Sequence, residues 1–334
     1  MELLINKTKS KSHFNLNIPW IEKYRPNDIE EVLFDDFMRN KIFSLIIKDI
    51  PNLIFTGEPG TGKTSTILCL VKRIYDEKEY EENILELNAS DDRGLNIINS
   101  TIIPFCKKKS FKNKNKIIIL DEADSITTKA QILLATLISE YSKNTRFVFI
   151  CNESNKIIEA VQSNCIIINF PNISKSNIKR KIVDICKSEK IEYTNEAVDD
   201  LIFVSENNIR NIINNLECIY YCYGKLESND IFTIIDKPKP FYTNKILTNC
   251  INGDINIAYD TVYHLYNLGY GVNDILQSLM KYLLENDYQI EKNIKMKIFE
   301  ILSLCYIRVN DGIDSLLQLV GSLSKIKIYL DICS

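Results

Sequence analysis

The sequence predicts an α/β protein whose first half forms a parallel sheet and whose second half is helical. Five short apolar runs lie between residues 53 and 169, and segments of helical period separate most of them. This pattern is typical of buried parallel strands joined by crossover helices. After Pro171 the strand pattern stops. The 334 residues are 45% hydrophobic, so the chain can bury a substantial core, and its length favours two or three domains.

The elements follow in chain order. The predicted strands are LIFT (53–56), ILEL (84–87), KIIIL (116–120), RFVFI (146–150) and CIIIN (165–169). Three helices are predicted at 174–189, 195–206 and 207–224, with Ser174 and Asn195 as N-caps and Gly224 closing the third. The run KPKP at 237–240 marks a linker, and residues 243–330 are helical in period, with breaks near Gly253, Gly269 to Gly271 and Asp311 to Gly312. We therefore predict a polar extension (1–17), an α/β core (18–171), a small helical domain (172–236) and a second, all-helical domain (237–334).

Composition excludes several classes of protein. The longest apolar runs fall far short of the ~20 residues that a membrane-spanning helix needs, and the first seventeen residues do not resemble a signal peptide. A soluble, intracellular protein without membrane partners is expected. The ten cysteines form no CxxC pair, so we expect reduced, mostly buried thiols. A formal charge of −3 argues against a general coating of nucleic-acid-binding charge but allows one basic surface.

A phosphate-binding loop follows the first predicted strand. The stretch GEPGTGKTS comprises Gly57, Glu58, Pro59, Gly60, Thr61, Gly62, Lys63, Thr64 and Ser65. It fits the pattern GxxxxGK[ST] between a strand and a helix, where glycines let backbone N–H groups point at a β-phosphate. Lys63 would reach the β- and γ-phosphates, and the Thr64 hydroxyl would hold Mg²⁺. The motif predicts ATP and Mg²⁺ as the ligands.

Two adjacent carboxylates end the third predicted strand, KIIILDEAD, at the edge of the sheet where ligands bind. Asp121 would bind Mg²⁺ through water, and Glu122 would orient and deprotonate the attacking water. The alternative is an acidic strand end that caps the next helix. That alternative suits Asp124, which precedes Ser125, better than it suits the Asp121 and Glu122 pair.

Six segments together resemble the small subunits of replication factor C, the sliding-clamp loader of the AAA+ class. They are IPWIEKYRP, GEPGTGKTSTI, LELNASDDRG, ILDEADS, TRFVFICN and SNC, in that order along the chain. The resemblance implies an AAA+ P-loop NTPase core with a parallel sheet, a three-helix lid domain and an all-α C-terminal collar domain that forms the oligomer. It runs from about Ile18 through the C-terminal helices, and its C-terminal part rests on length and pattern.

The resemblance also implies roles for single residues. Tyr24 and Arg25, with Ile21 and Leu33 nearby, would line the pocket for the base. Asn152 resembles the sensor-1 residue and Arg210 the sensor-2 arginine, both of which act at the γ-phosphate. Without the resemblance, Trp20 and Tyr24 would be hydrophobic anchors, Asn152 a turn former and Arg210 a solvated helix residue.

The chain departs from the family at two places. The family usually has Ser-Arg-Cys where this chain has Ser163-Asn164-Cys165, and that arginine completes the ATP site of the neighbouring subunit. Asn164 cannot do this. The family often has two arginines near DNA where this chain has Ala135 and Thr136. Arg93 is then the remaining candidate for a DNA phosphate contact, with an ion pair to Asp91 or Asp92 as the alternative.

Two lysine-bearing segments call for separate interpretations. The segment 106–116, CKKKSFKNKNK, carries six lysines and would either bind DNA or be solvated, and we favour the second. The segment up to Asn17 is expected to be disordered.

Taken together, the sequence predicts an ATPase subunit of a heteropentameric clamp loader. The resemblance implies other replication factor C subunits as partners, with the ring-shaped clamp (proliferating cell nuclear antigen) and the backbone of primer–template DNA, in the nucleus or wherever the replicated genome lies. Two alternatives stay open: a structural subunit that binds nucleotide without useful hydrolysis, and a different AAA+ machine such as an origin-recognition ATPase or a Holliday-junction motor.

Overall fold

The computed structural model describes residues 18–46, 50–90, 94–235, 237–285, 291–313 and 315–333. The chain divides into two compact units, an N-terminal unit (Met1–Gly224) and a C-terminal unit (Lys225–Ser334). The predicted extension 1–17 and the candidate DNA contact Arg93 lie outside the described residues.

The N-terminal unit alternates strands and helices. Its helices are α1 (Trp20–Lys23), α2 (Asp36–Ile46), α3 (Lys63–Ile74), α4 (Glu77–Asn83), α5 (Leu95–Ile97), α6 (Ile103–Lys107), α7 (Thr128–Glu140), α8 (Glu159–Gln162), α9 (Lys175–Glu189), α10 (Asn195–Val204) and α11 (Ile209–Tyr223). Its strands are β1 (Leu53–Gly57), β2 (Ile84–Asn88), β3 (Lys116–Asp121), β4 (Thr145–Ile150), β5 (Ile166–Phe170) and the two-residue β6 (Glu192–Tyr193).

Strands β1 to β5 form one parallel sheet in the order β2-β3-β4-β1-β5. All five predicted strands are present, which confirms the α/β prediction. Side chains alternate between the two faces of a strand, so successive residues of β1 pack into the apolar cores on opposite faces of the sheet. Leu53 and Phe55 pack with α3, whereas Ile54 packs with α7. Both faces are therefore covered by helices, and the polar residues that follow β1, β3 and β4 meet at one edge of the sheet.

Helices α9 to α11 follow the sheet, as predicted. The Ser174 side chain accepts a hydrogen bond from the backbone N–H of Asn177, so it is the N-cap of α9. The prediction that Asn195 caps α10 is wrong by one residue. The Thr194 hydroxyl accepts from the N–H of Ala197 at 3.2 Å, and Asn195 is the first helical residue. Gly224 ends α11 at φ 72°, a left-handed conformation that glycine adopts without strain.

In the described part of the C-terminal unit, the two-residue strand β7 (Lys225–Leu226) is followed by helices. Its helices are α12 (Ser228–Ile234), α13 (Pro240–Asn252), α14 (Ile255–Asn267), α15 (Val272–Glu285), α16 (Lys292–Asn310) and α17 (Leu316–Cys333). Helix α12 was not predicted. Pro240, the last residue of KPKP, is the first residue of α13, where its missing N–H costs no hydrogen bond. Helices α13 to α17 bury one continuous apolar core.

The composition-based expectations can be compared with the described residues. No helix among them has the length and apolar character to cross a bilayer. The side chains of nine of the ten cysteines are described; all nine are free, and seven of them are buried or half-buried. The exceptions, Cys218 and Cys222, lie on one exposed face of α11.

Candidate active site

A single cavity of about 460 Å³ gathers most of the predicted site residues. They come from the N-terminal segment, the phosphate-binding loop, the ends of β3 and β4, and helix α11. The predicted residues that line the cavity are Ile21, Tyr24, Arg25, Leu33, Pro59, Gly60, Thr61, Gly62, Lys63, Thr64, Ser65, Asp121, Glu122, Asn152 and Arg210. Residues more than 180 positions apart in the sequence therefore face one space.

Gly57 and Glu58 are not among the residues that line the cavity. Gly57 has φ 145°, and a Cβ atom there would lie 2.5 Å from the carbonyl oxygen of Phe170 on β5. This glycine is thus required by the close approach of two strands. The carbonyl oxygens of Gly57 and Glu58 face inward and accept hydrogen bonds from Lys63.

The Lys63 side chain is 7% exposed and makes three hydrogen bonds. Its ammonium donates to the carbonyl oxygens of Gly57 (2.7 Å) and Glu58 (2.8 Å) and to Oδ1 of Asn152 (3.1 Å). Burial lowers the pKa of Lys63, because the charged form loses hydration. The positive charge of Arg210 also lowers this pKa, whereas the carboxylates of Asp121 and Asp124 raise it. Lys63 and Arg210 both line the cavity.

Thr64 and Asp121 are in direct contact. The Thr64 hydroxyl donates to Oδ2 of Asp121 at 2.9 Å, while Oδ1 of Asp121 accepts from the backbone N–H of Glu122 at 2.9 Å. A hydroxyl and one carboxylate are the oxygen ligands with which proteins hold Mg²⁺, whose other ligands are phosphate and water. The described residues contain no cluster of three His, Cys, Asp or Glu side chains that could hold a metal by themselves. The pair fits a metal shared with a bound phosphate.

Glu122 begins a sharp turn after β3. Its backbone is left-handed at φ 53°, and a short 3₁₀ turn, Ala123–Ser125, follows it. A left-handed backbone is uncommon for a residue with a side chain and is most often found at functional turns. Its side chain is exposed on the wall of the cavity. The sequence suggested that Asp124 caps the next helix. Its carboxylate instead accepts a hydrogen bond from the backbone N–H of Asn152 at 3.4 Å.

The N-terminal segment is held on helices α9 and α11. Trp20 is 4% exposed, and its ring lies 5.2 Å from that of Tyr220. Its backbone N–H donates to Glu217, and the Tyr24 hydroxyl and the Lys23 ammonium donate to Glu189. Burial and the Glu189 carboxylate raise the pKa of Tyr24. Trp20 is the hydrophobic anchor that sequence alone suggested, and Tyr24 lines the cavity.

Sequence reasoning missed eight further residues that line the cavity. They are Glu22, Pro26, Glu31, Val32, Ile173, Lys181, Ile209 and Ile213. The apolar residues among them belong to segments whose sequence pattern predicts only positions in the hydrophobic core. Some of them could have been found because they adjoin predicted residues in the sequence, as Glu22, Pro26 and Val32 do. Lys181 adjoins no predicted residue.

The two departures from the family pattern lie on the surface. Asn164 is exposed just after α8, and its Nδ2 donates to the carbonyl oxygen of Ala160 at 2.9 Å. Ala135 is half-buried on α7, whereas Thr136 is exposed and its hydroxyl donates back to the carbonyl oxygen of Ile132. None of these side chains carries a charge.

Four of the six lysines of segment 106–116 have partners within the chain, and one of the four is buried. Lys116 is 1% exposed, and its ammonium donates to the carbonyl oxygens of Phe105, Cys106 and Lys108 at the end of α6. Lys112 and Lys114 pair with Glu79 at 3.0 and 2.7 Å, and Lys108 pairs with Glu82. Three of these lysines thus form ion pairs at the surface, and the fourth is bound by buried carbonyl oxygens.

The fold and the cavity define a P-loop ATPase of the AAA class. The family model described as "ATPase family associated with various cellular activities (AAA)" matches residues 53–172, and the one described as "Replication factor C C-terminal domain" matches residues 238–325. The chain belongs to the replication factor C subunit family.

Curated relatives match along nearly the whole chain. Replication factor C subunit 2 of Arabidopsis thaliana is 35% identical over 93% of this chain and 94% of its own length. Replication factor C subunit 4 of Saccharomyces cerevisiae is 34% identical over 93% and 96%. Among solved structures, the Thermotoga maritima RuvB Holliday junction branch migration motor aligns over 80% of this chain and 91% of its own, with 13% identity and a TM-score of 0.54. At this identity the likeness concerns the fold alone.

Proposed function

We propose that this chain binds ATP with Mg²⁺ and hydrolyses it as a subunit of a clamp loader that opens a ring-shaped sliding clamp and places it at primer–template junctions. The observation that carries the proposal is the shared cavity, in which Lys63, the Thr64 and Asp121 pair, Glu122 and Asn152 meet Arg210 from helix α11. The clamp would be proliferating cell nuclear antigen, and the site of action would be the nucleus or wherever the replicated genome lies.

Each residue has a role in this proposal. The loop N–H groups and Lys63 bind the phosphates, while Arg210 and Asn152 act at the γ-phosphate. Glu122 holds the attacking water and takes its proton, for which its exposed carboxylate at the cavity wall is suited. A Mg²⁺ ion held by Thr64 and Asp121 would neutralise charge on the phosphates. Ile21, Tyr24, Arg25 and Leu33 receive the base.

The proposed domain roles follow the predicted boundaries. Residues 18–171 act as the ATPase core, 172–236 as a lid and 237–334 as a collar that binds neighbouring subunits. Exposed apolar residues of the C-terminal unit support the collar role. Leu317, Ile328 and Ile332 are 79%, 59% and 77% exposed on α17, and their spacings of eleven and four residues place them on one helix face. Such a stripe is typical of a protein interface.

DNA contact in this proposal is made with the phosphate backbone and does not depend on base sequence. Arg93 remains the candidate for that contact. Since Ala135 and Thr136 carry no charge and most lysines of segment 106–116 are paired, neither place supports a strong additional DNA contact.

A structural subunit is the second candidate. The uncharged side chain at Asn164 favours it, because the chain then offers no arginine to a neighbour's site. The complete set of residues in this chain's own cavity opposes it.

Single-turnover hydrolysis by the assembled complex separates the two candidates. Glu122→Gln in this subunit alone keeps the size of the side chain and removes the base. If this subunit hydrolyses ATP, the rate at its own site should fall at least tenfold. The total turnover of the complex should then fall by the contribution of that one site. Glu140→Gln, at the exposed end of α7 and outside the cavity, is the matched control. Unchanged turnover in the Glu122→Gln complex would favour the structural role.

A further inference from the structure

Lys181 is a cation in the cavity to which neither the sequence nor the family resemblance assigned a role. It lies in the middle of α9, is half-buried and lines the same cavity as the phosphate-binding loop. Within the part of the chain that the structure describes, its ammonium has no ion pair and no hydrogen bond. A half-buried charge that faces a cavity without a partner is satisfied when a ligand brings an acceptor.

Three other basic residues near this site have acceptors within the chain. Arg25 pairs with Glu22 at 3.2 Å, and Lys63 has three acceptors. Lys179, two residues before Lys181 on α9, pairs with Asp199 at 2.8 Å on the side away from the cavity. Arg25 and Lys63 line the same cavity as Lys181, so Lys181 differs from them in having no acceptor among the described residues, not in its location.

The position of Lys181 along α9 indicates which part of a nucleotide it meets. Asn177 lies one helical turn earlier on the same face, and its Nδ2 donates to the carbonyl oxygen of Phe34 at 3.4 Å. Phe34 follows Leu33, which lines the cavity. This face of α9 thus looks toward the N-terminal segment. Arg210, by contrast, lies on the first turn of α11, whose N-cap Asn208 lies against Gly60 of the phosphate-binding loop.

We propose that Lys181 is a further nucleotide-binding residue whose ammonium donates a hydrogen bond to acceptor atoms that ADP and ATP share. This inference rests on the proposed ATP site and adds a second lid cation to it. Arg210 then acts on the γ-phosphate end and Lys181 on the remainder of the nucleotide. Lys181 would hold the lid on the nucleotide both before and after hydrolysis.

The test compares ADP and ATP binding by the full-length chain, measured by titration with fluorescent nucleotide and competition. Lys181→Met removes the charge and keeps the length of the side chain. We expect about tenfold weaker binding of both nucleotides, by the same factor, since one charged hydrogen bond is lost. Arg210→Met should weaken ATP binding more than ADP binding. Lys187→Met, on the exposed part of α9, is the matched control and should bind as wild type does.

Stability is controlled through the conservative variant. Lys181→Arg keeps the charge, so its affinities for ADP and ATP should lie within about threefold of those of the wild type. This expectation holds whether or not Lys181→Met lowers the unfolding temperature. Unchanged ADP and ATP binding by Lys181→Met would overturn the inference and leave the proposed ATP site standing. A loss confined to ATP would overturn the assignment to shared atoms. Failure of the wild type to bind either nucleotide would overturn the proposed function itself.

Discussion

Gly60 of the phosphate-binding loop lies against Asn208, the residue that begins helix α11. A Cβ atom on Gly60 would lie 2.1 Å from Oδ1 of Asn208. The same Oδ1 accepts hydrogen bonds from the N–H groups of Arg210 and Asn211, so Asn208 is the N-cap of α11. The loop that would bind phosphate therefore touches the residue that fixes the start of the helix carrying Arg210.

Gly60→Ala should displace this cap. The backbone at Gly60 has φ 82°, which alanine adopts only with strain, and the added methyl collides with Asn208. We expect ATP affinity to fall at least tenfold in equilibrium titration, because Arg210 moves with its helix. Gly224→Ala, at the other end of α11, is the control: its φ is a similar 72°, but a Cβ atom there meets nothing within 4 Å.

A double-mutant cycle checks the cause. Asn208→Ala removes the colliding atoms and by itself costs about 1 kcal/mol of helix capping. Combined with Gly60→Ala it should restore part of the lost affinity, with a coupling energy of about 0.5–3 kcal/mol. Strictly additive effects would mean that the contact does not position Arg210.

Asn164→Arg should increase ATP hydrolysis at the neighbouring subunit of an assembled complex. The position is exposed, so the larger side chain fits without repacking. An arginine finger supplied to a neighbouring site is worth about 10³-fold or more in rate, so even partial alignment should give at least a tenfold gain there. Asn164→Gln, which adds length without charge, should change nothing. An equal rate for the arginine and glutamine complexes would contradict the idea that the missing charge limits that site.

Glu79 should contribute an acid-sensitive part of the stability of the N-terminal unit. Lys114, the N–H of Asp76 and Lys112 lower its pKa to about 2 from an ordinary value of 4.5. A carboxyl whose pKa is lower in the folded state stabilises the fold above its ordinary pKa and loses that effect as pH falls toward the folded value.

Urea unfolding of wild type and Glu79→Gln across pH would test this. The difference in free energy of unfolding should be constant above about pH 5 and shrink between about pH 4.5 and pH 2. Glu81→Gln, on the exposed side of α4, should show little difference at any pH. A pH-independent difference for Glu79→Gln would contradict the assignment.

Ile328→Asp should weaken assembly with other subunits and leave the chain folded. The side chain is 59% exposed on α17, so an aspartate there costs the isolated unit little, whereas it would bury a charge in an interface. We expect at least tenfold weaker co-assembly in analytical ultracentrifugation. Lys292→Asp, at the exposed start of α16, serves as the charge control. Normal assembly by Ile328→Asp would remove the α17 stripe from the proposed interface.

Contiguous patterns in the sequence predicted the features that depend on neighbours in the chain. Five apolar runs became five parallel strands, and the phosphate-binding loop, Asp121 and Glu122 reached one cavity, because strand ends in a parallel sheet meet at one edge. Asn152 and Arg210 reached it too, although only the family resemblance indicated them.

Features that depend on distant packing were not predictable. Lys181 reads as one lysine among several in a polar helix, and only the packing of α9 beside the N-terminal segment brings it to the cavity. Lys116 likewise reads as part of a basic loop, yet the carbonyl groups at the end of α6 enclose its ammonium. The cap of α10 was missed because Thr194 and Asn195 are both good capping residues, and the backbone geometry decides between them.

The hydrogen bonds of Lys63 have a consequence for the kinetics of ligand exchange. Its ammonium already has three acceptors, two loop carbonyl oxygens and Oδ1 of Asn152. A bound phosphate must displace some of these acceptors. The Lys63 ammonium then exchanges one set of hydrogen-bond partners for another and is never without a partner. We therefore expect nucleotide to enter and leave faster than it would at a lysine without such acceptors, which suits an ATPase subunit that exchanges product for substrate in every cycle.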